Sequence, residues 1–255
     1  MPKRLGETKG PFIVWLFITS YLTLLTVVIA PLMGQLPESV PMSFALNLLI
    51  DQIRTWGGII VFLVVFVAFW EKERSLKGIF SSMGLKKKGF VQSILWSLVL
   101  FPLYFGISLI TLALLSFLSP TLTGVAISQG RYPSWHIYYL IANSFFPVAV
   151  VEEMFARGYM LDRLMPEHRS SLAKASAAII ISSILFTSYH LPAYVNMYWT
   201  ALPRAAVLLI GSVFLWSVAL SVAYVQARTR NIAGCVLIHF LADAIPFIIM
   251  LFTTT

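Results

Sequence analysis

The stretch IYYLIANSFFPVAVVEEMFARGYM, residues 137–160, joins a largely apolar run to two adjacent glutamates and an arginine. The apolar part suits the interior of a membrane, where a charged side chain costs on the order of 2–3 kcal/mol by insertion scales. Placing Glu152, Glu153 and Arg157 at this position therefore costs free energy of insertion. A functional site is the default explanation for such residues, and a structural ion pair is the competing one.

The composition of the whole chain indicates a polytopic helical membrane protein. Of its 255 residues, 59% are hydrophobic and only 11% are charged, whereas a soluble domain carries about 25% charged residues. Several apolar runs reach the roughly 20 residues needed to cross a hydrocarbon core. We predict an all-α transmembrane bundle of about seven spans, with six and eight as the limits, near residues 11–33, 55–70, 90–118, 135–157, 173–191, 204–227 and 231–253. The chain, 1–255, is expected to form a single integral membrane domain, because no polar stretch is long enough for a second one.

The distribution of positive charge predicts the orientation of the chain. Counted in alternate loops, 15 lysines and arginines lie on the side of the N-terminus, and only Arg54, Arg131 and Arg204 lie on the other. The positive-inside rule therefore places the N-terminus in the cytoplasm. The formal net charge of +8 follows from this topology and does not indicate nucleic acid as a partner. Cys235 is the only cysteine, which excludes an intrachain disulfide and a cysteine-based metal site.

Away from the span ends, ionisable residues occur in only three of the predicted spans. The fourth span contains Glu152 and Glu153, with Arg157 at its inner edge, the fifth contains His190, and the seventh contains His239 and Asp243. Glu153 and Arg157 are four residues apart, so they share a helix face and are able to pair. His239 and Asp243 have the same spacing. We predict that the three helices bring these groups to one depth.

The residue types fit peptide hydrolysis without a serine, cysteine or threonine nucleophile. That reaction needs a general base for water and a hydrogen-bonding group for the oxyanion. A buried glutamate beside a histidine supplies the first, and a second histidine near a carboxylate supplies the second. Two histidines and a carboxylate, here His190, His239 and Glu152, are also a recognisable zinc set, with the bound water as nucleophile. The sequence leaves both chemistries open, so the expected cofactor is either none or one zinc ion.

Two prolines flank the candidate residues. Pro147 lies five residues before Glu152 and is expected to free backbone groups in the fourth helix. Pro192 follows His190 closely and is expected to end the fifth helix. Broken helices are tolerated at membrane depth where they line a cavity, and a hydrolase requires a cavity that holds water.

Three motifs in separate spans resemble those of the CPBP intramembrane proteases. EEMFAR, FTSYH and HFLAD match the patterns EExxxR, FxxxH and HxxxN/D, in this order. The family includes the type II CAAX prenyl endopeptidases and the bacterial ABI proteins tied to bacteriocin self-immunity. The resemblance covers about residues 135–250. It implies an endopeptidase at the membrane that acts on a peptide or a prenylated protein, with membrane lipid around it and a cavity open to the cytoplasmic side.

The resemblance also implies roles for the six residues. Glu152 would be the catalytic glutamate and would activate water together with His190. His239 and Asp243 would hold the oxyanion of the intermediate, and Glu153 and Arg157 would be supporting residues. The sequence departs from the commonest pattern at Asp243, where the family often has asparagine. An ionised carboxylate cannot donate a hydrogen bond to an oxyanion, so Asp243 would instead orient His239, accept a proton or join a metal site.

A second class of function fits the same charges. In a non-proteolytic binding or immunity protein, or a transporter-like scaffold, the ionisable side chains would pair only to fix helix packing. Two histidines on separate helices favour the enzyme, because pairing of Glu153 with Arg157 requires neither of them. The family is called metalloprotease-like by some readings and a metal-independent glutamate protease by others, and the same side chains serve both.

Overall fold

The computed structural model describes residues 9–24, 56–73, 75–118, 134–166, 172–194, 203–226 and 230–253, and they are helical apart from short turns. This agrees with the predicted all-α class. The helices are α1 (Gly10–Thr23), α2 (Gly58–Trp70), α3 (Leu76–Ser82), α4 (Phe90–Leu118), α5 (134–164), α6 (Leu172–Tyr194), α7 (Pro203–Gln226) and α8 (Ala233–Thr253).

Four helices are long and apolar enough to cross a membrane: Phe90–Leu118, Ile137–Leu164, Leu172–Pro192 and Arg204–Gln226. They correspond to the third, fourth, fifth and sixth predicted spans. Three shorter apolar helical stretches, Gly10–Thr23, Gly58–Trp70 and Ala233–Ile245, fall within the other predicted spans. Residues 25–33 of the first predicted span lie outside the described residues. The number of about seven crossings and the cytoplasmic N-terminus stay predictions.

The helix α5 changes its winding along its length. It is α-helical over Ser134–Asn143, π-helical over Ser144–Ala149, α-helical over Val150–Glu153, π-helical over Met154–Leu161 and α-helical over Asp162–Leu164. Phe146, immediately before Pro147, leaves the helical region with φ −130° and ψ 120°. The predicted interruption at Pro147 is therefore confirmed, because the residue before a proline is pushed toward extended backbone.

The core of the protein surrounds the second half of α5. Every residue of Met154–Leu161 is buried, and α5 contacts α1, α6 and α8. The helix α4 packs against both α7 and α8. Gly158 lets α5 approach the end of α3 closely, since a Cβ at this position would lie 1.8 Å from the Met83 carbonyl oxygen.

The contact between α4 and α8 also depends on a small residue. A Cβ on Gly234 would lie 2.1 Å from the Ser93 carbonyl oxygen, so only glycine allows this approach. The Gly234 N–H donates a 2.9 Å hydrogen bond to Ser93 Oγ. The next residue, Cys235, is fully buried, and its Sγ lies 3.5 Å from the Leu220 carbonyl oxygen. This packing fixes the start of α8, the helix that carries His239 and Asp243.

The helix α6 does not end where the sequence suggests. It continues through Pro192 to Tyr194, so the prediction that Pro192 ends this helix is wrong. Proline removes one N–H from the backbone ladder, and helices within a membrane tolerate this loss. His190 consequently lies inside a regular helix.

Candidate active site

A cavity of about 230 Å³ lies between α5, α6, α7 and α8. Four residues with ionisable side chains line it: Glu152, His190, His239 and Asp243. The rest of its wall is apolar and consists of Val148, Phe186, Val213, Trp216 and Leu220. The helices α5, α6 and α8 therefore bring together the four residues that were expected to act on a substrate.

The Glu152 carboxylate stands between the two histidines. Its Oε2 atom lies 3.9 Å from His190 Nε2 and 3.6 Å from His239 Nε2. Both distances exceed those of a hydrogen bond, yet each is short enough for one small group to bridge the two atoms. The side chain of Glu152 is only 6% exposed. Tyr189 on α6 lies beside this carboxylate.

The helix α6 fixes the orientation of the His190 ring. Its Nδ1 atom lies 3.0 Å from the Phe186 carbonyl oxygen, one turn earlier in the helix. A carbonyl oxygen only accepts, so Nδ1 carries the hydrogen of this bond. In the neutral ring the lone pair is then on Nε2, the atom that faces Glu152. The Tyr189 ring packs against the imidazole with 4.0 Å between ring centroids.

A carboxylate on a different helix holds the second histidine. His239 Nδ1 lies 2.8 Å from Glu153 Oε1, and an ionised carboxylate accepts from that N–H. His239 Nε2 faces the cavity, 3.5 Å from Asp243 Oδ2. The expected common face of His239 and Asp243 is confirmed. The residue that orients His239 through Nδ1 is Glu153, a partner that the spacing along α8 does not indicate.

Glu153 and Arg157 form a buried ion pair beneath the cavity. The Arg157 Nη1–Glu153 Oε1 distance is 2.9 Å, and the side chains are 1% and 0% exposed. Arg157 Nη2 also donates to Ser217 on α7, at 2.9 Å to Oγ and 3.1 Å to the carbonyl oxygen. Its guanidinium lies 4.4 Å from the centroid of the Phe186 ring. The predicted pairing is confirmed, and Arg157, expected at the inner edge of its span, lies within the apolar helix Ile137–Leu164 with its side chain buried.

Residues 133–245 match a family model described as type II CAAX prenyl endopeptidase Rce1-like. This stretch, called the Rce1-like region below, is similar to that family, and it makes up less than half of the 255-residue chain. The match includes every residue of the cavity and of the ion pair beneath it, and it agrees with the resemblance to the CPBP proteases. No match was found among the curated proteins or among the solved structures. The family supports CAAX-type protease activity and a peptide or prenylated protein substrate. Together with the four apolar helices, it indicates an integral membrane protein.

Three contacts in the Rce1-like region were not predicted from the sequence. Ser217 holds Arg157 from α7, a helix without an ionisable residue in its interior. Tyr189 lies beside the Glu152 carboxylate, whereas the sequence predicted a role only for its neighbour His190 in the FTSYH motif. Glu153 was expected to pair with Arg157 alone, whereas it bridges Arg157 and His239. Of these three contacts, only that of Tyr189 could have been predicted from the sequence, because Tyr189 lies within the FTSYH motif.

The part of the chain that the structure describes gives no support for a metal centre. Among the residues that the structure describes, no three His, Cys, Asp or Glu side chains converge closely enough to hold a metal ion. The metalloprotease interpretation is therefore not supported, and the choice between no cofactor and one zinc ion held by Glu152, His190 and His239 stays a prediction. The chemistry below uses only the protein's own side chains.

Proposed function

We propose that this chain is an intramembrane endopeptidase that hydrolyses a peptide bond with water activated by Glu152 and His190. The main support is the position of the Glu152 carboxylate, which faces two histidines from other helices across gaps of 3.6 and 3.9 Å. Glu153 is held by Arg157 beneath the cavity, whereas Glu152 lines the cavity itself, where it can meet a substrate and a water molecule.

The gap between Glu152 and His190 suits a water molecule. Both facing atoms, Glu152 Oε2 and His190 Nε2, are acceptors when the carboxylate is ionised and the ring is neutral. A water between them donates one hydrogen to each, and its hydrogen bonds of about 2.8 Å can span the gap of 3.9 Å. The oxygen lone pairs then point away from both residues, toward a carbonyl carbon in the cavity.

The chemical step balances with Glu152 as the proton carrier. Glu152 removes a proton from the water while the water oxygen bonds to the carbonyl carbon of the substrate. The carbonyl oxygen becomes an oxyanion in the tetrahedral intermediate. Collapse of the intermediate breaks the C–N bond, and Glu152 returns its proton to the leaving nitrogen. General acid–base catalysis of this kind contributes typically 10²–10⁴-fold.

His239 is the proposed donor to the oxyanion. Its Nδ1–H is bound by Glu153, so a donor on the cavity side requires a proton on Nε2 as well. That nitrogen faces Glu152 and Asp243, two groups that only accept hydrogen bonds when ionised. Asp243 Oδ2, 3.5 Å from this nitrogen, stabilises the charge of the protonated ring in the resting site, and the oxyanion accepts the Nε2 hydrogen during the reaction.

Glu153 and Arg157 act as positioning residues in this proposal. Arg157 is fixed by Glu153, by Ser217 and by the Phe186 ring. Glu153 then holds the imidazole of His239 in one orientation. A donor that is already oriented needs no reorganisation when negative charge develops, which is the basis of oxyanion stabilisation.

The proposed substrate is a prenylated CAAX-type protein or a peptide derived from one. The resemblance to the Rce1-like family supports this choice. The α7 wall of the cavity, Val213, Trp216 and Leu220, suits an apolar side chain next to the scissile bond. We further propose that the N-terminus is cytoplasmic and that the cavity opens to the cytoplasmic side, in agreement with the distribution of lysine and arginine.

The test is hydrolysis of a quenched fluorescent CAAX peptide, farnesylated or not, by the full chain in proteoliposomes. Glu152→Gln removes the base without a large change of shape, and we expect its rate to fall at least about 100-fold. Glu73→Gln is the matched control, because Glu73 lies outside the cavity. A Glu152→Gln protein with the wild-type rate would contradict the catalytic assignment. Absence of hydrolysis in the folded wild-type protein would favour the scaffold interpretation.

A further inference from the structure

A second cavity, of about 370 Å³, lies at the start of two apolar helices. Its lining residues are Leu85, Lys86, Lys87, Phe90, Asn231 and Ala233. Phe90 is the first residue of α4 and Ala233 the first of α8. Lipid headgroups are expected at the ends of helices that cross a hydrocarbon core. The second cavity shares no residue with the cavity that contains Glu152.

Three consecutive lysines leave this end of the bundle with excess positive charge. Nearby, Arg163 pairs with Glu71 and Asp162, and Arg230 pairs with Asp162. Those two arginines and two carboxylates cancel one another. Among the described residues, no carboxylate forms an ion pair with Lys86, Lys87 or Lys88. The lysine segment is thus available to bind an anion.

The lysine segment is rigidly attached to the start of α8. Asn231 Nδ2 donates to the Lys86 carbonyl oxygen, and also to that of Lys88 at 3.2 Å. The Ile232 N–H donates to the Gly84 carbonyl oxygen at 3.2 Å. Gly84 has φ 83°, a left-handed conformation that favours glycine, and this allows the tight turn before the lysines. A site held in place in this way loses little entropy when it binds a ligand.

The surroundings of Lys86 also favour an anion. Burial lowers the pKa of Lys86 below its ordinary value, the positive charges of Arg230 and Arg163 lower it further, and Asp162 opposes them. A negative group in the cavity would offset both the burial and the repulsion. Beside the lysines, Leu85 is 40% exposed and Phe90 is 51% exposed. A ligand that contacts the lysines and these two side chains carries negative charge and an apolar chain together.

We propose that this cavity binds the phosphate-bearing headgroup of an anionic phospholipid. Lys86 and Lys87 would contact the phosphate, Lys88 would add to the attraction, and Leu85 and Phe90 would contact the start of an acyl chain. Soluble inorganic phosphate has the negative charge but no acyl chain, so it would make no apolar contact with Leu85 and Phe90. The site is independent of the proposed peptidase chemistry.

The experiment is native mass spectrometry of the full chain in detergent, with equimolar dioleoylphosphatidylglycerol and dioleoylphosphatidylcholine added. We expect the wild type to retain phosphatidylglycerol preferentially, and a Lys86→Gln, Lys87→Gln, Lys88→Gln variant to bind it roughly tenfold more weakly. The control replaces three other exposed lysines, Lys9, Lys72 and Lys77, by glutamine, with the same change in net charge. It should bind as the wild type does.

Several outcomes would overturn the proposal. They are unchanged binding by the Lys86–88 variant, an equal loss in the control variant, or equal retention of both lipids by the wild type. Displacement of phosphatidylglycerol by millimolar inorganic phosphate would point to a soluble ligand instead. Should the triple variant fail to fold, the exposed Lys87 gives a milder pair: Lys87→Glu should weaken binding, and Lys87→Arg should preserve it.

Discussion

Replacement of Arg157 by methionine tests the buried ion pair beneath the candidate active site. The substitution removes the 2.9 Å contact with Glu153 and both contacts with Ser217. Glu153 is 0% exposed, so its charge would stay buried without its cationic partner. Loss of one member of a buried pair costs about 3–5 kcal/mol. We therefore expect Arg157→Met to lower the free energy of unfolding by about that amount.

The double variant Glu153→Gln, Arg157→Met separates the charge from the packing. It leaves no buried charge at this position, and the Gln carbonyl oxygen can still accept from His239 Nδ1. Replacement of both members of a buried pair is often nearly neutral. We expect the double variant to recover at least about 2 kcal/mol relative to Arg157→Met. Ser217→Ala should cost only about 1 kcal/mol, because the Ser217 carbonyl oxygen still accepts from Arg157.

The assay is reversible unfolding in dodecylmaltoside micelles titrated with SDS, followed by far-ultraviolet circular dichroism. The decisive quantity is the coupling free energy between the two positions. The cycle also includes Glu153→Gln alone. A double variant whose loss equals the sum of the losses in Glu153→Gln and in Arg157→Met would refute the reasoning, because each side chain would then act independently. A loss in Arg157→Met no larger than that in Ser217→Ala would also contradict it.

Three further predictions concern the site and its support. Asp243→Asn should retain activity on the CAAX peptide within about tenfold, since an amide can donate to an oxyanion; complete loss would mean that the carboxylate itself is required. Tyr189→Phe should lower the rate by about fivefold through loss of a polar contact with Glu152, with unchanged unfolding as its control. Gly158→Ala should destabilise the fold by about 3 kcal/mol or more in the micelle assay, because its Cβ would collide with the Met83 backbone; wild-type stability would show that this loop yields freely.

The helical period was sufficient to predict pairs within one helix. The spacing of four residues placed Glu153 beside Arg157 and His239 beside Asp243, and both contacts are present. These predictions succeed because positions i and i+4 share a face whatever surrounds the helix. The interruption at Pro147 was equally local, since it follows from the covalent structure of proline.

Contacts between helices depend on relative depth and rotation, which a single sequence does not specify. Ser217 carries no charge and lies in an apolar helix, so nothing marked it as a partner of Arg157. The hydrogen bond between Glu153 and His239 joins residues 86 positions apart on different helices. Helical periodicity predicts contacts only within one helix, so it gives no information about this pair. The π-helical turns of Met154–Leu161 also rotate the helix in a way that a regular period of 3.6 residues does not anticipate.

The complete burial of Cys235 has a practical consequence for labelling. Since it is the only thiol in the chain and is 0% exposed, a membrane-impermeant maleimide should leave the folded native protein unmodified. Cysteines introduced one at a time at exposed positions, such as Lys9 and Lys77, can then be labelled against a silent background. In sealed vesicles of known sidedness, their reactivity reports directly which ends of the helices face each compartment. The native sequence is thus already a suitable starting point for mapping its own topology.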